Sequence, residues 1–238
     1  MIAAIIARSF FWIHALFMTN LLPWSEIDCV LLDMDGTLLD LHFDNYFWLD
    51  YLHQCYAEKH GISTHEAANI LVPLLAQYTG TLEWYCTEFW AEKLQLPIQQ
   101  MKRAQAQRIA PRPYALEFLQ RLRQAGKQVV LITNAHRQSL EVKLERVPLA
   151  QSMDAVISSH DYGYPKERPE FWQHLQAAFP FDPQRTLFID DSLSVLRSAQ
   201  RYGIRYLRCV ASPDSQQPSK DCAEFLDGGD FSALLSGL

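Results

Sequence analysis

Residues 27–37 read IDCVLLDMDGT, and this stretch decides the fold of the chain. Its first part is short and almost continuously apolar, and it ends in acidic residues followed by a glycine. Such a run is typical of a strand that is buried on both faces, as in a parallel sheet covered by helices. We therefore expect residues 27–33 to form a central parallel strand.

Apolar runs and amphipathic helical stretches alternate regularly through the second half of the chain. This alternation indicates right-handed β-α-β crossovers and a parallel sheet. The predicted strands are at 127–134, 155–158, 186–189 and 204–209, and the predicted helices are at 114–125, 138–146, 170–179 and 193–202. Gly126 is expected to end the first of these helices, because glycine readily adopts the left-handed conformation of a helix end.

The stretch between about residues 45 and 109 is different, because helical patterns rich in Trp and Tyr replace the β runs there. The predicted helices are at 46–58, 65–78, 82–94 and 98–109. We therefore predict an α/β fold in which a Rossmann-like parallel-sheet core carries an inserted helical cap. The core is predicted at 23–42 and 110–238, and the cap at 43–109.

The first 22 residues are apolar and aromatic, but Arg8 and His14 interrupt them. The order of a signal peptide, with a basic region first and a small-residue cleavage site last, is not found. A membrane helix would place Arg8 in mid-span at a cost of about 2.5–3.5 kcal/mol. We interpret this segment as an N-terminal extension outside the fold, with Met18 as the true start. An N-terminal anchor is the alternative, although we expect no stable membrane partner.

The balance of charge argues against nucleic acid as a partner. The chain has 21 basic and 27 acidic residues, which gives a net charge of −6, whereas nucleic-acid binding relies on clustered Lys and Arg. A small anion held through a metal ion is compatible with this charge. The composition leaves the oligomeric state open.

Cysteine and histidine spacings give no metal-binding signature. The five cysteines are scattered without a CxxC pair, which indicates neither a disulfide framework nor a zinc knuckle and fits a reducing cytoplasm. None of the eight histidines belongs to a spacing such as HExxH. His136 is interpreted as a surface or core residue, with a place in the pocket as the alternative.

Polar residues follow the predicted strands at the points where these strands end. In an open parallel sheet, ligands bind outside the carboxyl ends of the strands, so these residues are candidates for the site. They are Asp33 and Asp35 after the first strand, Thr133 and Asn134 after the second, Lys166 in the loop after the third, and Asp190 and Asp191 after the fourth.

In this order, the segments DMDGT, LITN, the lysine of GYPKERPEFW, and FIDDS resemble the four motifs of the haloacid dehalogenase-like hydrolase superfamily. The resemblance runs from about residue 27 to the C-terminus. It implies that Asp33 attacks phosphorus to form an aspartyl-phosphate and that Asp35 is the general acid and base. It also implies that Thr133 and the Asn134 backbone bind phosphate oxygens while Lys166 neutralises charge.

The same resemblance implies that Mg²⁺ is held by the Asp33 side chain, the Asp35 carbonyl oxygen and Asp190, with Asp191 in or near the second layer around the ion. Physical chemistry favours such an ion, because a carboxylate that attacks a phosphate monoester needs positive charge where the transferring oxygens lie. Magnesium also prefers hard oxygen ligands. The acidic cluster and its substrate therefore both favour a magnesium site.

Several functions are compatible with these motifs. Haloalkanoic acid dehalogenases lack the second aspartate, so Asp35 argues for phosphate chemistry. A mutase and a nonenzymatic protein that binds a phosphate ligand are further alternatives, and the binding protein is disfavoured because Asp33, Asp35 and both later aspartates are all present. We predict a magnesium-dependent phosphomonoester hydrolase.

The predicted cap bears on the substrate. Its segments LHFDNYFW and TLEWYCTEFW, at 41–48 and 81–90, are similar to those of the bacterial GMP/IMP nucleotidases of this superfamily. Aromatic rings near the site could stack on a purine, although such rings are often packing residues. The resemblance implies a purine 5′-nucleotidase that acts on GMP or IMP. The alternative substrate is a sugar phosphate or phosphoglycolate.

Overall fold

The computed structural model describes residues 22–228 and 231–238. The extension predicted for residues 1–22, with its alternative start at Met18, lies outside the described residues except for Leu22, whose side chain is buried in the core. In the described ranges, no helix is both long enough and apolar enough to cross a membrane.

The centre of the described structure is a single parallel sheet. Its strands are β1 (Cys29–Leu32), β2 (Gln128–Thr133), β3 (Ala155–Ser158), β4 (Thr186–Asp190) and β5 (Tyr206–Cys209). Their order across the sheet is β3-β2-β1-β4-β5, and every neighbouring pair is parallel. Leu32 of β1 lies opposite Leu131 on one side and Ile189 on the other. The predicted central strand is therefore confirmed.

A helical segment connects β1 to β2. Its elements are α1 (His42–Tyr46), a π-helical turn (Phe47–Tyr51), α2 (Leu52–His60), α3 (Thr64–Ala76), α4 (Leu82–Tyr85), α5 (Thr87–Leu94) and α6 (Ile98–Ala104). These helices enclose an apolar cluster of their own, to which Phe47, Leu71 and Trp90 belong. The assignment of residues 43–109 to a separate cap domain stays a prediction.

Two of the helices predicted in this segment are shorter than expected. The single helix predicted at 82–94 is two helices, because Cys86 between α4 and α5 is extended, with φ −84° and ψ 108°. Its Sγ accepts the backbone N–H of Phe89 and so caps the start of α5. The helix predicted at 98–109 ends at Ala104 and is followed by a 3-10 turn at Ala106–Arg108.

Helices cover both faces of the sheet. The helix α7 (Ala115–Gln124) precedes β2. The helices that follow β2 are α8 (Arg137–Arg146), α9 (Pro169–Ala178), α10 (Leu193–Tyr202) and α11 (Phe231–Leu234). Val30 and Leu32 of β1 pack in one apolar layer with α7, α8 and α11, whereas Cys29 and Leu31 pack in the other with α9 and α10. The predicted α/β class with a Rossmann-like core is confirmed.

Candidate active site

The carboxyl ends of β1, β2 and β4 open into one cavity of about 360 Å³. All of the site residues predicted from the sequence line this cavity, together with residues of the helical segment. The predicted residues that line it are Asp33, Asp35, Thr133, Asn134, Lys166, Asp190 and Asp191. They meet because parallel strands present their carboxyl ends at the same edge of the sheet.

Lys166 lies between two of these carboxylates. Its Nζ is 2.5 Å from Oδ1 of Asp33 and 2.7 Å from Oδ2 of Asp190. Burial lowers the pKa of this ammonium, but Asp190 and Asp33 more than offset that effect and hold the pKa of Lys166 above its ordinary value. The side chain is almost completely buried, unlike that of most loop lysines, and it brings a positive charge into the cavity.

Asp33, Asp190 and Asp191 each bring a carboxylate oxygen to within 4.8 Å of those of the others. Burial raises the pKa of both Asp33 and Asp190, and Lys166 opposes this rise. Lys166 contacts two of these carboxylates and Lys220 contacts Asp191 at 2.9 Å, so the cluster keeps a net negative charge that a divalent cation would offset. The donors are all hard oxygens, which Mg²⁺ prefers. The residues therefore fit the predicted ion.

Gly36 allows the loop after β1 to approach the loop after β4. Its φ is +80°, and a Cβ atom at this position would lie 2.9 Å from Cγ of Asp191 and 3.0 Å from Cβ of Pro213. Both the backbone conformation and the lack of space require glycine. This residue of the DMDGT segment thus permits Asp191 to join the acidic cluster.

Asp35 has a cationic partner that the sequence did not reveal. The Nζ of Lys143, on α8, lies 2.6 Å from Oδ1 of Asp35. Burial raises the pKa of Asp35 to about 7; Lys143 opposes this rise, and Asp44 and Asp33 reinforce it. A carboxyl group whose pKa lies near neutral pH is suited to both donate and accept a proton.

Asp44 links Lys143 to a second buried lysine. Its two carboxylate oxygens lie 2.7 Å from Nζ of Lys143 and 2.9 Å from Nζ of Lys102 on α6. Burial alone raises the pKa of Asp44, but Lys102 and Lys143 reverse the effect and hold it at about 2. Lys102 also donates to Oγ of Ser139 at 3.2 Å. This row of charges joins the helical segment to α8.

One signal for Lys143 was present in the sequence. The helix predicted at 138–146 buries Leu140, and position 143 lies three residues later on the same face. A lysine on the apolar face of a helix indicates a buried partner. Lys102 gave a similar signal, because it lies four residues after the buried Ile98 on α6. Asp44 gave none, because it lies 58 residues before Lys102 and meets it only in the folded chain.

The side chain of Asn134 ties two loops of the site together. Its Oδ1 accepts the backbone N–H of Lys166 at 2.9 Å, and its Nδ2 donates to Oε2 of Glu167 at 3.0 Å. Tyr85 of α4 donates from Oη to the other oxygen of Glu167 at 3.2 Å. Thr133 accepts the backbone N–H of Ala135 at 3.0 Å. A residue of the helical segment therefore reaches the loops after β2 and β3.

Large apolar side chains of the helical segment form one wall of the cavity. Trp48, Trp84 and Tyr85 line it with Leu49 and Leu75. The aromatic residues of the predicted segment at 41–48 have different surroundings: Trp48 lines the cavity, whereas its neighbour Phe47 is buried in the apolar cluster of the helical segment. The cavity thus combines a charged end at the sheet with an aromatic end at the helices.

Residues 27–203 match the haloacid dehalogenase-like hydrolase family. Because the match covers well over half of the chain, the chain belongs to this family and is an enzyme. The resemblance inferred from the four sequence segments is confirmed.

Two curated relatives are similar over nearly the whole sequence. The chain is 40% identical over 217 residues to the GMP/IMP nucleotidase YrfG of Escherichia coli (strain K12), and the alignment covers 91% of this chain and 98% of the relative. The GMP/IMP nucleotidase YrfG of Shigella flexneri matches with the same identity and coverage.

Solved structures share the fold at lower identity. A HAD phosphatase from Thermococcus onnurineus superposes with a TM-score of 0.70 at 21% identity, covering 82% of this chain and 92% of that one. The L-2-haloacid dehalogenase from Xanthobacter autotrophicus has a TM-score of 0.55 at 19% identity, with 78% of each chain covered. At these identities the likeness concerns the fold alone.

Proposed function

We propose that this enzyme hydrolyses phosphate monoesters through an aspartyl-phosphate on Asp33, and that its substrates are purine nucleoside 5′-monophosphates, GMP or IMP. The observation that carries the proposal is that two carboxylate–ammonium pairs lie side by side in one cavity. Asp33 and Lys166 lie in contact at the sheet end, and Asp35 holds its own ion pair with Lys143 beside them.

Magnesium would be held by the Asp33 carboxylate, the Asp35 carbonyl oxygen and Asp190, with Asp191 beside them. When bound, the ion supplies positive charge at the transferring phosphate oxygens. The carboxylate cluster of Asp33, Asp190 and Asp191 supports this assignment, because its oxygens already lie close together.

In the first half-reaction, a carboxylate oxygen of Asp33 attacks phosphorus, and the bond from phosphorus to the ester oxygen breaks. Asp35 gives its proton to the departing alkoxide, so the alcohol leaves uncharged. The Thr133 hydroxyl and the backbone N–H of Asn134 donate hydrogen bonds to the phosphate oxygens. Lys166 offsets the negative charge that gathers there.

In the second half-reaction, Asp35 accepts a proton from water, and the water oxygen attacks the phosphorus of the aspartyl-phosphate. The bond between phosphorus and the Asp33 oxygen breaks, which releases inorganic phosphate and restores the Asp33 carboxylate. Asp35 thus donates a proton in one half and accepts one in the other. The raised pKa of this carboxyl, about 7, is suited to both tasks.

The aromatic wall supports a purine nucleoside as the leaving group. Trp48, Trp84 and Tyr85 present flat apolar surfaces to the cavity, and aromatic rings stack favourably on bases. The 40% identical relatives that are named GMP/IMP nucleotidases support the same substrate. The helical segment at 43–109 would act as the cap that closes over the nucleoside and excludes water. The five free cysteines support a cytoplasmic setting.

A panel of phosphate esters tests the substrate assignment. The purified enzyme is assayed for phosphate release from GMP, IMP, other nucleotides, phosphoglycolate and sugar phosphates at saturating Mg²⁺. We expect the largest kcat/KM for GMP or IMP. A clear preference for phosphoglycolate or a sugar phosphate would contradict the purine assignment and leave the phosphatase chemistry in place. No phosphate release from any ester would contradict both.

A further inference from the structure

A second group of metal-ligating side chains lies outside the acidic cluster. Cys86 separates α4 from α5, His136 immediately precedes α8, and His160 lies in the 3-10 turn after β3. One donor atom from each lies within 4.8 Å of the other two. Sulfur and imidazole nitrogen are the donors that zinc-like ions prefer, whereas Mg²⁺ prefers oxygen. The group therefore differs in chemistry from the candidate magnesium site.

The ring of His160 has one nitrogen with no partner among the described residues. Its Nε2 is shielded from solvent and makes no hydrogen bond within the ranges that the structure covers. The ring is hydrogen-bonded to the backbone of Asn134, where a carbonyl oxygen accepts. That bond engages Nδ1–H and leaves a lone pair on Nε2. A buried acceptor without a protein partner needs an explanation, and a bound ion would supply one.

A chain of hydrogen bonds determines which ring nitrogen of His136 carries the proton. Gln138 donates from Nε2 to Glu88 at 2.7 Å, so its Oε1 is the atom that accepts the hydroxyl proton of Thr87 at 3.1 Å. Having given its only proton to Gln138, the Thr87 oxygen must accept from Nδ1–H of His136, 3.0 Å away. The lone pair of His136 therefore lies on Nε2.

The lone pair on Nε2 of His136 lies near a carboxylate. Oε2 of Glu88 lies 3.9 Å from Nε2 of His136, which is too far for a hydrogen bond. Two electron-pair donors face each other across this gap, and a cation between them would satisfy both. In metal sites, a ligating histidine usually donates its other N–H to a carbonyl, carboxylate or similar acceptor. Both His136 and His160 have this arrangement.

We propose that Cys86, His136 and His160 form a binding site for a zinc-like divalent ion. Around tetrahedral zinc, such sulfur and nitrogen atoms lie roughly 3.3–3.6 Å apart. The three donor atoms already lie within 4.8 Å of one another, so small movements of the side chains would complete this geometry. The Cys86 thiol gives its proton to solvent as the sulfur–metal bond forms. Water or the exposed Glu88 carboxylate completes the four ligands.

An ion in this site would connect two parts of the molecule. Cys86 belongs to the helical segment, whereas His136 and His160 follow β2 and β3 at the edge of the sheet. His160 is bonded to Asn134, which contributes to the candidate active site. The ion would therefore fasten α4 and α5 against the sheet, next to the cavity.

Cobalt provides a direct test, because a thiolate bound to Co²⁺ gives a charge-transfer absorption that oxygen and nitrogen ligands do not. The full chain is titrated with Co²⁺ in a large excess of Mg²⁺, so that oxygen-ligand sites stay occupied by magnesium. We expect a thiolate band that saturates at one equivalent, and one equivalent of Zn²⁺ should abolish it. The readout is independent of any phosphatase activity.

Matched variants identify the ligands. Cys86→Ser should remove the band, whereas Cys55→Ser, at another partly exposed cysteine, should leave it unchanged. Thr87→Val keeps the shape of the side chain but loses the bond to His136, and it should weaken binding about 10–100-fold. Asp190→Asn should retain the band. The proposal would be overturned if the unmodified chain gave no thiolate band with Co²⁺, or if Cys86→Ser kept the band.

Discussion

The ammonium of Lys143 forms a 2.6 Å ion pair with the carboxylate of Asp35, the residue assigned as general acid and base. Both side chains are largely withdrawn from solvent, and the same ammonium contacts Asp44 at 2.7 Å. The orientation and the pKa of Asp35 therefore depend on a lysine that belongs to a helix rather than to a strand end. This dependence can be tested separately from the nucleophile.

Lys143→Met should lower kcat for nucleotides by about tenfold or more, because Asp35 would lose the partner that orients it for proton transfer. Lys102→Met is the matched control, since Lys102 is also buried and bonded to Asp44 but does not contact Asp35. The control should lose stability without a similar loss of kcat. Steady-state kinetics and urea unfolding measure the two effects, and equal losses of kcat in both variants would count against the ion pair.

Asp44→Asn should destabilise the fold by about 3–5 kcal/mol, because it leaves two buried ammonium groups without their shared carboxylate. The effect should depend on pH. The folded-state pKa of Asp44, about 2, lies below the unfolded value of about 3.9, so its stabilisation is complete above about pH 4 and is lost as pH falls toward 2.

The measurement is the difference in free energy of unfolding between the unmodified chain and Asp44→Asn, obtained in urea at several pH values. This difference should be constant from about pH 7 to pH 5 and should shrink between about pH 4 and pH 2. A difference that grows as the pH falls would show that the sign of the assigned pKa shift is wrong.

Chelation of divalent metal should abolish phosphate release, and added Mg²⁺ should restore it, because the acidic cluster repels a dianionic substrate. Asp190→Asn should raise the Mg²⁺ concentration needed for half-maximal activity strongly. Asp191→Asn should raise it less, because Asp191 is less buried and is already bound by Lys220 at 2.9 Å. Full activity of the unmodified enzyme in metal-free buffer would exclude the magnesium assignment.

Trp84→Leu should lower kcat/KM for GMP by about tenfold to a hundredfold, the usual loss when a base loses an aromatic stacking partner. Hydrolysis of a small sugar phosphate should change little, since that substrate has no base to stack on the indole ring. The comparison of the two substrates in one variant corrects for any general damage to the fold. Equal losses with both substrates would argue against a stacking role.

The sheet and the candidate residues at its edge were predictable because both depend on local patterns. Buried parallel strands appear as continuous apolar runs, and the polar residues beyond them necessarily share one edge. The same reasoning predicts Asp33, Thr133, Lys166 and Asp190 at one edge of the sheet, and in the structure all four line one cavity.

The remaining features depend on contacts between distant segments. Asp44 and Lys143 are 99 residues apart in the sequence, and they meet only because the helical segment packs against α8. The break between α4 and α5 at Cys86 was also not predictable, because neither glycine nor proline marks it. The sulfur atom of Cys86 caps the following helix instead. The histidine spacings gave no metal signal, because the donors of the proposed zinc-like site come from three separate loops.

The central claim is that Asp33 is the nucleophile and Asp35 the general acid and base. Asp33→Asn should reduce turnover to background, because no aspartyl-phosphate can form. Asp35→Asn keeps the nucleophile but should slow both half-reactions by about 10²–10⁴-fold. An activated aryl phosphate needs little protonation of its leaving group, so it should rescue the first half-reaction of this variant more than the second.

The most direct measurement is therefore to incubate Asp35→Asn with an aryl phosphate, quench the reaction in acid, and map the phosphorylated residue by mass spectrometry. The account predicts phosphate on Asp33 in this variant and no phosphorylated peptide in Asp33→Asn treated in the same way. Phosphate on a serine, threonine or histidine, or undiminished turnover by Asp33→Asn, would contradict it.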